Sequence, residues 1–596
     1  MNSQKNNNSS AYMAEQSAEY MPFDGKENAS GSASADKSAE AEEAIQSAEG
    51  GFAAEKHIRF YDKSPRKAAF IAAALCLLAA FICITIGSKS SFLYAFHDAN
   101  DVNWFLTMGR GIVNGKVPYK NLFEQKGILT YMMFALNYAI CGNHLYVIYV
   151  IEVLCMTAFA WICFKICRMY TSYVPSLFVA ALSVLLATCS FAFVSGGGEV
   201  EEYILPLLAY GLYVFVRYAK QGVLPVHSAA ICGACSSVIF WMKFTAISFY
   251  AVFAVCVFVD CCIKKQAKRG LLYALAFVMA FAAVSVPWLA YLGANSALDD
   301  MWRVYIYDNI FSYGGRIFSR LGGLVINILR SAPLYVFTIF AAVSYWRGKV
   351  ALRYKIYYTA ILCIMFVLQC ISAGDIRYYH LVMAIYLPLG LMSTVYCVLS
   401  VLAAVAALFR GPKTESYSNR FMDCRSAMRG WCEKTVAAAA AKTRAGVNVG
   451  TVAIVAVLFA ALTIVFGNCT LDLLHPLDYY PQFKAAQIMR EEGGGNLLTY
   501  KTFDRGFYTA YDETPEFYYF AQNNFDRADF PEMYEGQESY VINGLADFVV
   551  TETGHWLEEK DTLLSRYEFV ADLSYYHVEC NTDVWHEELC LLKLAA

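Results

Sequence analysis

The chain has 596 residues, 58% of them hydrophobic, and a formal net charge of −3. That length exceeds one ordinary domain, and apolar runs of about 20 residues, enough to cross a bilayer as a helix, recur along it. A soluble single domain is excluded, and the near-neutral charge gives no pull toward nucleic acid. Most of the 20 cysteines lie singly in apolar runs, where Cys behaves as a small hydrophobe, and no metal cluster is expected.

Residues 1–55 are rich in Ser, Ala, Glu, Asn and Gly and lack an apolar run, a composition that predicts a disordered tail. No apolar core or cleavage site marks it as a signal peptide. Lys56, Arg59, Lys63, Arg66 and Lys67 then precede a first span, Ala68 to Gly87, so the positive-inside rule places the N-terminus in the cytoplasm. The next stretch, 88–144, is expected on the outer face. Ile128 to Gly142 is apolar but short, and Lys165 and Arg168 end the following run, Leu145 to Ile166. The charges alternate correctly only if Ile128 to Gly142 lies along the outer interface without crossing.

Further spans are predicted at Val174–Val194, Ile204–Val216, Ala229–Trp241, Thr245–Val259, Leu271–Leu292, Ala332–Tyr345, Ile356–Ser372, Leu381–Phe409 and Val449–Phe466. Residues 410–448 hold eight Lys/Arg against three Asp/Glu and read as a basic cytoplasmic loop. The total is about eleven spans over residues 56–467, a polytopic α-helical membrane protein in the plasma membrane with its C-terminus outside. Residues 468–596 read as a small extracytoplasmic α/β domain. Its predicted helices are Gln482–Glu491 and Trp556–Tyr567, and its strands Asn496–Tyr500, Asp547–Thr551 and Leu589–Leu594. Cys580 and Cys590 are a candidate disulfide in such a compartment.

Three outer clusters carry ionisable groups, which are costly beside a bilayer and therefore point to function. The first is Phe96 to Tyr131, FHDANDVNWFLTMGRGIVNGKVPYKNLFEQKGILTY. If helical, it sets Asp98 and Asp101 one turn apart on one face. Gly109, Gly111, Gly115 and Pro118 read as a tightly shaped loop ahead of Lys126. The second cluster is Glu199, Glu201 and Glu202 after three glycines. The third is Asp375, Arg377, Tyr378, Tyr379 and His380, with Lys243 and Arg316 as further outer cations. Taken singly, each has a plainer reading as a solvated carboxylate, an interfacial aromatic or a snorkelling Lys. Their convergence on one face argues otherwise.

DANDVNWFLTMGRGIVNGKVPYKNLFEQKG resembles the first outer loop of bacterial GT-C glycosyltransferases of the protein O-mannosyltransferase-like, aminoarabinose-transferase-like type. GGGEVEEYILPL resembles their second outer loop, DIRYYH a later His-Tyr segment, and the tail, including DRGFYTAYDETPEFYYF, their C-terminal outer domain. Asn121, Ile128 and Glu199 depart from the residues usual there, Asp, Pro and Asn. The resemblance implies a transferase using sugars carried on polyprenyl phosphate. It implies Asp101 as the catalytic base, with Asp98 as competitor, and Lys126 as a phosphate contact. Beside these, Glu201 and Glu202 are further candidate catalytic carboxylates, Lys243, Arg377 and Arg316 candidate phosphate contacts, and Tyr119, Tyr379 and His380 candidate substrate contacts.

A carboxylate that takes the acceptor's proton and cations that neutralise a departing phosphate are what such a transfer needs. The expected partners are therefore a polyprenyl-phosphate-linked sugar donor, membrane lipid and a cell-envelope acceptor. No cofactor is required, although paired carboxylates can hold a divalent metal through oxygen ligands. A polymerase or ligase using lipid-linked glycans remains a nearby alternative. A lipid or solute transporter is a more distant one, since it would place its ionisable groups near the bilayer midplane.

Overall fold

The computed structural model describes residues 64–595, apart from 313–320, 372–375, 410–421, 424–425, 427–448 and 581–582. Arg316, Asp375, the N-terminal tail and nearly all of the basic 410–448 loop lie outside the described residues.

Helices dominate up to Phe466. In chain order they begin α1 (Pro65–Gly87), α2 (Asn100–Val113), α3 (Ile128–Cys141), α4 (Tyr146–Arg168), α5 (Tyr173–Thr188), α6 (Val200–Gln221), α7 (Val226–Phe240), α8 (Ser248–Ile263) and α9 (Ala267–Ala294). Ala332–Arg347, Leu352–Phe366, Leu387–Phe409 and Val449–Phe466 follow. Among the described residues, six helices are long and apolar enough to cross a membrane, and a seventh span arises if the pair Gly322–Arg330 and Ala332–Arg347, bent by 83°, counts as one. The fold is that of a polytopic helical membrane protein.

α3 has 14 residues, about 21 Å of helix at 1.5 Å per residue, against a hydrocarbon core of about 30 Å. It lies directly on α2. A Cβ at Gly109 would stand 2.5 Å from the Phe134 backbone, so only glycine permits this approach. Gly109 therefore serves helix packing, and Gly111, also inside α2 rather than a loop, leaves room for the Leu122 side chain of the segment that follows. Gly115, at φ +86°, makes the left-handed turn that follows the helix.

Beyond Phe466 a four-stranded sheet forms, in the order β1 (Leu497–Thr499), β2 (Phe548–Glu552), β6 (Leu589–Leu594) and β3 (Tyr567–Asp572). β1 and β2 pair in parallel, while β6 runs antiparallel to both β2 and β3. β4 (Tyr575–Cys580) and β5 (Asp583–Glu587) make a separate hairpin. The predicted helix Trp556–Tyr567 is corrected. The observed helix covers Thr553–Glu559, and Tyr567 opens β3 with its ring buried under the sheet. Cys590 is a free, buried thiol in β6, which removes the expected disulfide.

This C-terminal region is bound tightly to the first loop. The buried Arg110 guanidinium donates to the Tyr508 carbonyl at 2.8 Å, the Glu513 carbonyl at 2.6 Å and Asn143 Oδ1 at 2.6 Å. Thr107 donates to Asp504 at 3.1 Å and Lys116 pairs with Glu516 at 2.7 Å. Phe123 packs among Tyr518, Tyr519, Phe525 and Phe530. Much of the MGRGIVNGKVPYKNLF stretch is thus a docking surface for residues some 400 positions later.

Candidate active site

Two helix N-termini bring the acidic residues together. Asp101 sits in the first turn of α2, and Glu201 and Glu202 in the first turn of α6, where the positive end of the helix dipole favours carboxylates. Gly196, Gly197 and Gly198 all have positive φ, a conformation that favours glycine. Their turn presses on the end of α1. Lys89 N donates to the Gly196 carbonyl at 2.7 Å, and a Cβ at Gly197 would fall 2.4 Å from Ser88 Oγ. The turn thereby delivers Glu199, the residue capping α6, beside Asp101.

Asp98, Asp101, Glu199, Lys89, Arg377 and Tyr378 line a cavity of about 240 Å³, with Asn524 of the C-terminal region on its wall. Asp98 and Asp101 do not share a helical face, because α2 begins at Asn100. Asp98 instead pairs with the buried Lys89 at 2.7 Å, and the same ammonium reaches Asp472 at 2.5 Å. Asp101 Oδ2 accepts from Lys126 Nζ at 3.1 Å and from the Tyr378 hydroxyl at 2.7 Å.

The Lys-Gly pair at 126–127 has a physical reason. Gly127 N donates to the Met242 carbonyl and Leu129 N to the Trp241 carbonyl, each at 3.0 Å. A Cβ on Gly127 would meet the Trp241 carbonyl oxygen at 2.1 Å. This contact sets Lys126 beside the segment that carries Lys243, so two cations far apart in sequence share one site. Gly127→Ala should therefore destabilise the fold by roughly 3 kcal/mol, the upper end of overpacking costs, because backbone rather than a side chain stands in the way. Thermal unfolding in detergent measures it, and an unchanged melting temperature contradicts the close approach.

Lys243 is buried, ion-paired with Glu201 and lying over the Tyr379 ring. Gln369 Nε2 approaches the same Glu201 oxygen at 3.4 Å. Glu202 Oε2 accepts from Gly198 N at 3.1 Å and holds the glycine turn. Arg377 lies with its guanidinium 5.3 Å from the Phe191 ring centre. Tyr119 is fully buried behind Lys126, its hydroxyl donating to the Lys126 carbonyl at 2.7 Å. His380 is fully buried and bonded to Tyr335. Of the expected site residues, Asp98, Asp101 and Arg377 line the cavity, Lys126, Lys243, Glu201, Glu202, Tyr119, Tyr379 and His380 do not, and Arg316 falls outside the described residues.

The electrostatics separate the carboxylates. Burial alone would raise Asp101, but the Lys126 charge, the Tyr378 hydroxyl and Lys243 hold it below the usual carboxylate range. Glu199 moves the other way, since burial and the neighbouring charges of Asp101 and Glu201 push it well above that range. Burial draws Lys243 down to about 8, with Glu201 opposing the fall and Lys126 adding to it. Lys89 stays well above its ordinary value despite burial, because Asp98 and Asp472 flank it.

Lys89, Asp472 and Asn524 are members of the site that sequence reading missed. Lys89 carried one signal, a lone cation just past the outer end of the first span, against the positive-inside bias. Asp472 and Asn524 carried none. Cys232 and Cys235 form a Cys-x-x-Cys pair on α7, both buried in the helical bundle. Among the described residues no group of three or more His, Cys, Asp or Glu side chains is arranged to hold a metal ion.

No family model matches the sequence, and no curated protein does. Among solved structures, the chain is similar to ArnT from Cupriavidus metallidurans bound to undecaprenyl phosphate, with TM-score 0.52 and 12% identity over 88% of this chain and 97% of that one. The same protein in its apo state gives TM-score 0.50 and 13% identity with the same coverage. This chain therefore shares the ArnT fold over most of its length.

Proposed function

We propose that this protein is a membrane glycosyltransferase that moves a sugar from a polyprenyl-phosphate donor to a cell-envelope acceptor at the outer membrane face. The observation that carries the reading is the cavity, in which a mostly buried Asp101 carboxylate is held by Lys126 and Tyr378 with further cations at hand. ArnT, of similar fold, was solved with undecaprenyl phosphate, which fits a donor of that class here.

Asp101 serves as general base, accepting the proton of the acceptor's hydroxyl or amine as that group attacks the sugar's anomeric carbon. Lys126 and Lys243 stabilise the charge growing on the departing phosphate as point charges, and Arg377 is suited to bidentate contact. A donor phosphate competes with Asp101 for the Lys126 ammonium. Binding of donor thereby raises the proton affinity of the carboxylate at the moment it is needed. Incubating membranes that contain the protein with a panel of radiolabelled polyprenyl-phosphate sugars tests the reading. Transfer from none of them, to lipid, glycan or protein, overturns it.

The site belongs outside on this reading, with about eleven crossings, α3 along the outer interface and the C-terminal domain extracytoplasmic. Contacts of α3 support its place, since Tyr138 and Asn143 at its end bond to Asp512 of the C-terminal region at 3.3 and 2.8 Å. In intact cells, Ser539→Cys should gain labelling by an impermeant maleimide over the parent chain, and Ser426→Cys should not. Labelling at 426 alone reverses the topology.

A further inference from the structure

Asp101 and Glu199 line the same cavity but are built differently. Every interaction at Asp101 Oδ2 comes from a charged or hydroxyl donor, Lys126 and Tyr378. Glu199 is 5% exposed, and its Oε2 has no hydrogen-bond partner among the described residues. A buried carboxylate oxygen without a donor or a cation is costly when ionised and unobjectionable when it carries a proton. Lys126 and the Ser195 hydroxyl ease the charge on Glu199 without outweighing burial and the neighbouring carboxylates, for Lys126 is paired with Asp101, Lys89 with Asp98 and Asp472, and Lys243 with Glu201. Glu201 and Glu202 crowd the same turn with further negative charge.

Two carboxyls with opposed environments on one cavity are the arrangement from which acid and base roles divide. We propose that Glu199 is a second catalytic residue of this site, the general acid that protonates the departing phosphate. The inference rests on the transferase reading above. As the acceptor atom bonds to the anomeric carbon, the bond from that carbon to the phosphate oxygen breaks and its electron pair remains on the oxygen. That oxygen takes the Glu199 proton while the acceptor's proton passes to Asp101. Return of one proton from Asp101 to Glu199 through solvent resets the site.

The test uses the full-length protein in lipid vesicles with the radiolabelled undecaprenyl-phosphate sugar that the wild type accepts. Glu199→Gln keeps shape and neutrality but has no acidic proton, so kcat should fall about 10²-fold, the lower end for proton transfer by a placed side chain, with KM little changed. Glu199→Asp should recover part of the loss. A donor fluorinated on the prenyl carbon next to the phosphate has a less basic leaving group and should shrink the Glu199→Gln defect to within about tenfold. Rates in mixed light and heavy water should show two protons in flight for the wild type and one for Glu199→Gln.

Equal losses with both donors, or a rise in KM alone, overturn the assignment. So does a single proton in flight in the wild type, a measurement that needs no variant to fold. Absence of transfer by the wild type with every donor defeats the transferase reading itself, which is a separate result.

Discussion

Asp101→Asn should lower sugar transfer by about 10²- to 10⁴-fold while expression and membrane insertion stay near normal. The amide keeps the shape and still accepts from Tyr378 and Lys126, which reach Oδ2 at 2.7 and 3.1 Å, but it cannot take a proton. Because Lys126 and Tyr378 hold the Asp101 carboxyl of the free protein below the usual range against the effect of burial, the acidic limb of the wild-type kcat/KM profile should lie below that range. The sign follows from the ionised form being the active one. Asp98→Asn should be milder in catalysis, since Asp98 faces Lys89, which Asp472 continues to hold at 2.5 Å. Lys126→Ala should chiefly weaken donor binding. Transfer rate and donor affinity in purified, lipid-reconstituted protein decide among these. Near-normal transfer in Asp101→Asn with a dead Asp98→Asn moves the base to Asp98, and no effect from either removes the first-loop mechanism.

The sequence revealed what depends on local periodicity. Apolar runs located helices such as Pro65–Gly87 and Val449–Phe466, and strand β6 coincides with the predicted Leu589–Leu594. The Lys-Gly and triple-glycine motifs fall beside the candidate site, though for reasons the chain alone did not show. Gly127 is there for a backbone that crosses Trp241, and the glycines at 196–198 turn against Ser88 and Lys89. Pairings across hundreds of residues, such as Lys89 with Asp472 or Arg110 with the Tyr508 carbonyl, follow from tertiary contact and leave no periodic trace. The β3 strand was missed for a related reason. Tyr567, Phe569 and Ala571 alternate over too few residues to outweigh the helix-like Trp556–Leu564 stretch, and pairing with β6 decides the outcome.

Lys243→Met should destabilise the folded protein by about 3–5 kcal/mol, the cost of leaving one member of a buried ion pair alone. Glu201 has a side chain with no exposure, its Oε1 is shared by Lys243 and Gln369, and Oε2 has no other partner among the described residues. Losing the ammonium strands that charge. Adding Glu201→Gln removes the stranded charge, so the double variant should regain most of the lost stability, as replaced buried ion pairs often do. The two effects should be non-additive by roughly 0.5–3 kcal/mol, the range for residues in contact, as read from unfolding in detergent. Transfer separates structure from function. With Lys243 as a phosphate contact, the double variant stays slow although it is stable, because neither Met nor Gln neutralises a departing phosphate. Recovery of full transfer in the stable double variant would show that the pair only braces α6 against the segment after α7, and would leave Lys126 and Arg377 to meet the phosphate.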